Sequence, residues 1–168
     1  MNKLISTLSI LILLTTIKTV YSQKVPTSQQ INIKAEVISH SIVVSKRDLD
    51  FGNDIVPGIA KSINKASENS GSFEIQGKKN KAIKVSFTLP EILTNSSNLI
   101  DISFSSTDAG YITNGNMKAF DPRKGVNTKL SGSGKMEIFL GGTITPSNNQ
   151  ASGFYSAPII VHLLYTAD

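Results

Sequence analysis

The chain has 168 residues, 39% hydrophobic and 17% charged, with no cysteine and a formal net charge of +5. That length suits one globular domain and is short for two. The low charge excludes the commonest disordered composition, in which too little apolar surface is present to offset the entropy of ordering. The missing thiol excludes disulfides, cysteine nucleophiles and cysteine-ligated metal.

Met1-Asn2-Lys3 is a short positive start and Leu4 to Ile17 is mainly apolar. Val20-Tyr21-Ser22 then offers small or modest side chains at the positions a signal peptidase reads, so cleavage is expected before Gln23. Lys18 ends the run short of the ~20 apolar residues of a membrane span. Residues 1–22 are therefore expected to be a signal peptide. The mature chain is expected to be exported, to the periplasm, the cell surface or the medium, and not to span a membrane. With Lys3 and Lys18 gone it keeps 17 − 2 = 15 basic side chains against 12 acidic, net +3. Residues 23–30 (QKVPTSQQ) are polar, contain Pro26 and read as a flexible leader. The folded domain is expected over 31–168.

Ile31, Ile33, Ala35 and Val37 alternate with polar residues, the period-two pattern of a strand with one wet face. Ile42-Val43-Val44 starts a second strand that continues toward Leu49 and Phe51 and closes at Gly52-Asn53 and Pro57-Gly58. Phe73 and Ile75, a turn over 77–80, and Ile83, Val85, Phe87 and Leu89 predict a hairpin that ends at Pro90. Ile100, Ile102 and Phe104 alternate as another strand. Ser105 to Leu130 is rich in Gly, Asn, Thr and Asp and reads as a decorated connection or an edge hairpin. Met136, Ile138 and Leu140 lead through Gly141-Gly142 to Ile144, 146–153 is a turn, and Tyr155 to Tyr165 is the last strand. Beyond the signal segment no apolar stripe of helical period and length occurs. Seven or more short strands separated by Gly, Pro and Asn turns predict an all-β, immunoglobulin-like antiparallel β-sandwich, with an up-and-down barrel as the lesser alternative.

The residue types that carry chemistry are sparse. The two histidines, His40 and His162, do not make a zinc or acid–base constellation. Asp48, Asp50 and Asp54 group hard oxygens that suit calcium, yet without EF-hand spacing. A wet strand face balanced by Lys46 and Arg47 is the plainer account. Glu74, Glu91, Asp101 and Asp121 show no spacing that selects a glycosidase pair. Gly132-Ser133-Gly134 lacks the rest of a phosphate-binding fingerprint and a following helix. Lys78, Lys79, Lys81 and Lys84 surround Gly77 and Asn80, which suits an exposed turn better than a nucleic-acid track. Asn95-Ser96-Ser97 matches a glycosylation sequon, relevant only in a eukaryotic secretory path. Tryptophan is absent; Tyr111, Phe120 and Tyr155, placed in loop regions, are the candidates for a sugar-binding platform. No enzyme activity, cofactor or nucleic-acid partner is expected.

Arg47-Asp48-Leu49-Asp50-Phe51-Gly52 with Val56-Pro57-Gly58, then Ser72-Phe73-Glu74-Ile75-Gln76-Gly77, Gly141-Gly142-Thr143-Ile144, Gly153-Phe154-Tyr155-Ser156 and Val161-His162-Leu163-Leu164-Tyr165 occur in an order that resembles the bacterial family called domain of unknown function 4402. The resemblance runs over about residues 42 to 165. It implies an exported sandwich distantly similar to fimbrial and adhesin subunits and to the spore coat protein U group, with a role in surface structure. Chaperone–usher pilins, to which that group is similar, carry a glycine fourteenth from the end and a penultimate aromatic on a strand that partners engage by strand addition. Gly153 and Tyr165 have the same separation, 165 − 153 = 12, with Ile159, Val161, Leu163 and Tyr165 alternating between them. The tail Thr166-Ala167-Asp168 and Pro158 depart from that pattern. Ile31 to Val37 is the matching candidate donor strand. The expected role is a non-enzymatic structural or adhesin-type surface protein, pairing with itself or other surface subunits. The alternative is a monomeric module that binds an extracellular glycan. Both ends as ordinary strands of one self-contained sandwich, with Gly153 in a turn, is the plainer account.

Overall fold

The computed structural model describes residues 34–37, through their backbone, and 42–166. The expected signal segment, the leader and the pairing positions Ile31 and Ile33 lie outside the described residues. In chain order the strands are β1 (Lys34–Val37), β2 (Ile42–Arg47), β3 (Lys61–Ile63), β4 (Gly71–Gln76), β5 (Ala82–Thr88), β6 (Ile92–Asn95), β7 (Asn98–Ser103), β8 (Ala109–Ile112), β9 (Lys118–Phe120), β10 (Val126–Lys129), β11 (Lys135–Leu140), β12 (Gly142–Thr145) and β13 (Ile160–Tyr165). Among the described residues there is no helix.

The strands form an all-β sandwich of three sheets, ordered β1-β13-β5-β10, β2-β4-β11-β8-β9 and β3-β12-β7-β6. Alternation decides which face each strand buries. On β11, Met136, Ile138 and Leu140 point inward while Lys135 and Glu137 face water. The first sheet packs on the second through Phe73, Ile75, Ile83, Val85, Ile138 and Leu163. The third sheet covers a second cluster built on Ile100, Ile102, Leu140 and Ile144, which Leu49, Phe51 and Ile159 complete. Phe120 packs on both clusters and stacks on Phe87, with ring centroids 6.1 Å apart.

The second and third sheets are two parts of one bent layer. β11 and β12 are consecutive, separated by Gly141, and the chain passes from one sheet to the other there. On one flank Ile63 pairs with Gly142 and Gly71 with Leu140, so residues 64–70 bulge out opposite the bend. On the other, Ser103 pairs with Thr143 and Ala109 with Leu140, so 104–108 does the same. Bulged residues increase local twist and turn a sheet corner. At Gly141 a Cβ would run into the Ile63 carbonyl, so the bend depends on a residue without one.

Several expectations need correction. β4 and β5 are not a hairpin: β4 pairs with β2 and β11, and β5 with β13 and β10. The turn 77–81 carries the chain between sheets, because Phe73 and Ile75 must face Ile83 and Val85 across the core. The second strand ends at Arg47, where its register with β4 shifts, and Leu49 and Phe51 pack from irregular backbone. The last strand begins at Ile160 rather than Tyr155. Strands β3 and β6 carry no long alternating run and were not legible; β6 pairs with β7 through a two-residue turn in which Ser96 takes φ 53°. The stretch 105–130 contains β8, β9 and β10, and β8 and β9 are indeed an edge hairpin. Among the described residues all strand pairings are antiparallel except one: β1 runs parallel to β13.

Candidate functional site

The edge of β13 is where the sequence-derived pairing residues meet. Val161 and Leu163, 1% and 4% exposed, fix the inward face of the strand, and one edge bonds antiparallel to β5 from Ile160–Thr88 to Tyr165–Ile83. The other edge is occupied by β1, with Ala35 opposite Val161 and Val37 opposite Leu163. Two of the four candidate positions on the amino-terminal segment are therefore in contact with two of those on the last strand. β1 is an edge strand that covers Ile160 to Leu163 of β13 and has no partner on its far side among the described residues. A row of main-chain donors and acceptors on an edge strand is a template for pairing with another chain.

The remaining candidates divide. Ile159 is half-buried against the second cluster and precedes β13. Tyr165 closes the strand, packs on the first cluster and accepts a hydrogen bond from the Lys78 amide at 3.2 Å. Gly153 is not on the pairing strand. It sits in the loop before it with φ +150°, a conformation that side chains rarely adopt, and a Cβ there would run into the Asn95 side chain. Its neighbour Ser156 exchanges both main-chain hydrogen bonds with Thr94, at 3.0 and 3.1 Å. That bridge seals the outer edge of β6, so the spacing of 12 between Gly153 and Tyr165 reflects a loop and a strand with separate partners.

The aspartates do not project from one strand face. Residues 48–60 have no regular strand structure, the Asp50 carboxylate accepts the Gly52 amide at 2.8 Å, and Asp54 pairs with Lys61. That lysine, donating to the carboxylate, holds Asp54 below its ordinary value. Asp48 is half-buried, and no group of three metal-ligating side chains occurs among the described residues. The proposed sugar platform also fails as a surface: Tyr111 is buried on β8, Phe120 is half-buried on β9, and the Tyr155 hydroxyl is engaged by Gln150 and Ala151. His162 faces outward on β13, its Nε2 2.9 Å from the Thr88 hydroxyl.

Sequence reasoning missed Arg47 as more than a charge balance. Its guanidinium reaches into the bulge 64–70, where Nε donates to the Ser70 carbonyl at 2.7 Å and Nη2 to the Ser70 hydroxyl at 3.0 Å. The Asp50 amide bonds the Asn69 carbonyl at 2.9 Å. The motif Arg47 to Gly52 therefore braces the bend of the layer, with Leu49 and Phe51 as its apolar anchors. The signal that could have found it is the unbroken polar run Ser45 to Asp48 after Ile42-Val43-Val44. No family model matches the chain, and no curated protein matches it.

Proposed function

We propose that this chain is an exported, non-enzymatic surface subunit of fimbrial or adhesin type, whose last strand takes up an extended segment from a neighbouring copy's amino terminus. The observation that carries the reading is the short, parallel β1 on the edge of β13. Four residue pairs hold that segment at the outer margin of the sheet, while the core beneath is completed by Val161 and Leu163. Main-chain bonds to an edge strand supply affinity, and alternate side chains supply selectivity. The ordered resemblance to exported bacterial sandwich proteins supports the same reading, as does the signal-like start.

The absence of native cysteine allows a direct test. Glu36 and His162 are register partners across β1 and β13, and adjacent strands lie ~4.8 Å apart, within reach of a disulfide. One differently tagged chain carries E36C and another H162C, and the mixture is oxidised. A covalent heterodimer is the expected product and marks strand addition between copies. If the mixture stays uncrosslinked while the double variant closes only on itself, the sandwich is self-contained and the strand-addition reading fails.

A further inference from the structure

Two outward sheet faces remain outside this reading. On β5, Ile83 and Val85 point into the core, so Lys84 points out, flanked in register by Leu164 of β13 and Asn127 of β10. Lys129, opposite Ala82, extends the same face. Lys84 and Lys129 are exposed, and no carboxylate stands among the outward residues of β5, β10 and β13. The acid nearest in register, Glu36, stands opposite His162, two pairs along β13 from Leu164. Leu164, 48% exposed, stands beside Lys84 at the β13 side of this surface.

The hairpin β6–β7 has the inverse composition. Ile100 and Ile102 point inward, so Leu99 and Asp101 point out, and Asp101 is the register partner of Ile92. Ile92 and Leu99 are 40% and 53% exposed, and Glu91 beside them is exposed as well. No lysine or arginine lies among the outward residues of β6, β7 and β12. Among the described residues no ion pair engages Lys84, Lys129, Glu91 or Asp101. The outward face of β5, β10 and β13 thus joins the exposed Leu164 to positive charge, and that of β6 and β7 joins the exposed Ile92 and Leu99 to negative charge.

We infer that the Lys84–Lys129–Leu164 face docks against the Glu91–Asp101–Ile92–Leu99 face of a second copy of this chain. The two faces lie on different layers, the first sheet and the third, and point away from different core clusters, so they meet only between molecules. Complementary charge fixes register and suppresses wrong pairings, and the aliphatic side chains supply the buried area. A contact between two different patches is heterologous and leaves a free face at each end, so it propagates as an open row of subunits. The inference does not depend on β1, because it uses sheet faces rather than the β13 edge.

The test is sedimentation velocity of the mature chain over a concentration series in low and high salt, with two charge-reversed variants. Self-association is expected, weakened on the order of tenfold by high salt as exposed charges are screened. K84E/K129E and E91K/D101K should each be folded and monomeric, since each sets like charge against like. Mixed, they should associate again, because each reversed face then meets its opposite. Association that ignores salt and both variants overturns the inference, as does a wild-type chain that stays monomeric or stops at a closed dimer. Binding of heparin, used as a polyanion probe, to the Lys84 face of a persistently monomeric chain overturns it too. The E36C and H162C crosslink is blind to these reversals, so failure here is separable from failure of strand addition.

Discussion

Arg47 and Ser70, 23 residues apart, are joined twice: Nε donates to the Ser70 carbonyl at 2.7 Å and Nη2 to its hydroxyl at 3.0 Å. Ser70 is fully buried, and the exposed Arg47 side chain supplies donors to both of its oxygens. R47A leaves both oxygens without their donor, which costs about 1–3 kcal/mol for buried groups bonded to a charge. R47K should recover only part of this, because an ammonium lacks the planar fork that reaches two acceptors. Urea unfolding of the two variants against wild type checks the order.

The bend at Gly141 gives a second expectation. G141A drives a methyl group into the Ile63 carbonyl and close to the Lys65 amide, both of them main chain that cannot rotate away. A loss of about 1–3 kcal/mol or more is expected, as for overpacked core sites. The adjacent layers should loosen together, read as faster amide exchange on both β3 and β11.

G153A separates the two accounts of that glycine. At φ +150° the new side chain is strained by about 1–3 kcal/mol, and it meets Asn95. Thermal stability should fall while the E36C to H162C crosslinking pattern stays as in the parent. A change in crosslinking without loss of stability would return Gly153 to the pairing strand.

Acid should weaken the second sheet through Glu74. Gln76 donates to its carboxylate and Lys135 and Lys46 stand 3.6 and 3.7 Å away, which holds the group below its ordinary 4.5 despite partial burial. A depressed folded value means the contribution is complete above the unfolded value and is lost as pH falls through the folded one. E74Q should therefore flatten the stability curve below about pH 4.5 and leave it parallel to wild type near neutrality. Thermal melts from pH 3 to 7, roughly the span of carboxylate titration, check the sign.

Much of the architecture was legible because one-sided burial writes period two into the chain. Val161 and Leu163 against His162 and Leu164, or Met136 and Ile138 against Lys135 and Glu137, announce their strands and inward faces. The short pieces did not, since three residues such as Lys61–Ile63 hold too little pattern, and their strand state comes from pairing with β12. Of the candidate site, the β13 positions were legible as strand. Gly153 was misplaced because linear spacing does not record that the chain detours past Asn95.

By itself the sequence determined the class of fold, the strands long enough to alternate, and the absence of thiol chemistry, all of which depend on local composition and period. Only the tertiary structure decided which strands pair. Phe73 and Ile83 carry the same inward signal whether their strands lie side by side or face to face, and the choice falls to the core that both must fill. The parallel seat of β1, the bracing of residues 64–70 by Arg47 and the opposite charge of two distant sheet faces arise the same way. Each joins residues far apart in the chain, and no local pattern constrains such contacts until the layers close.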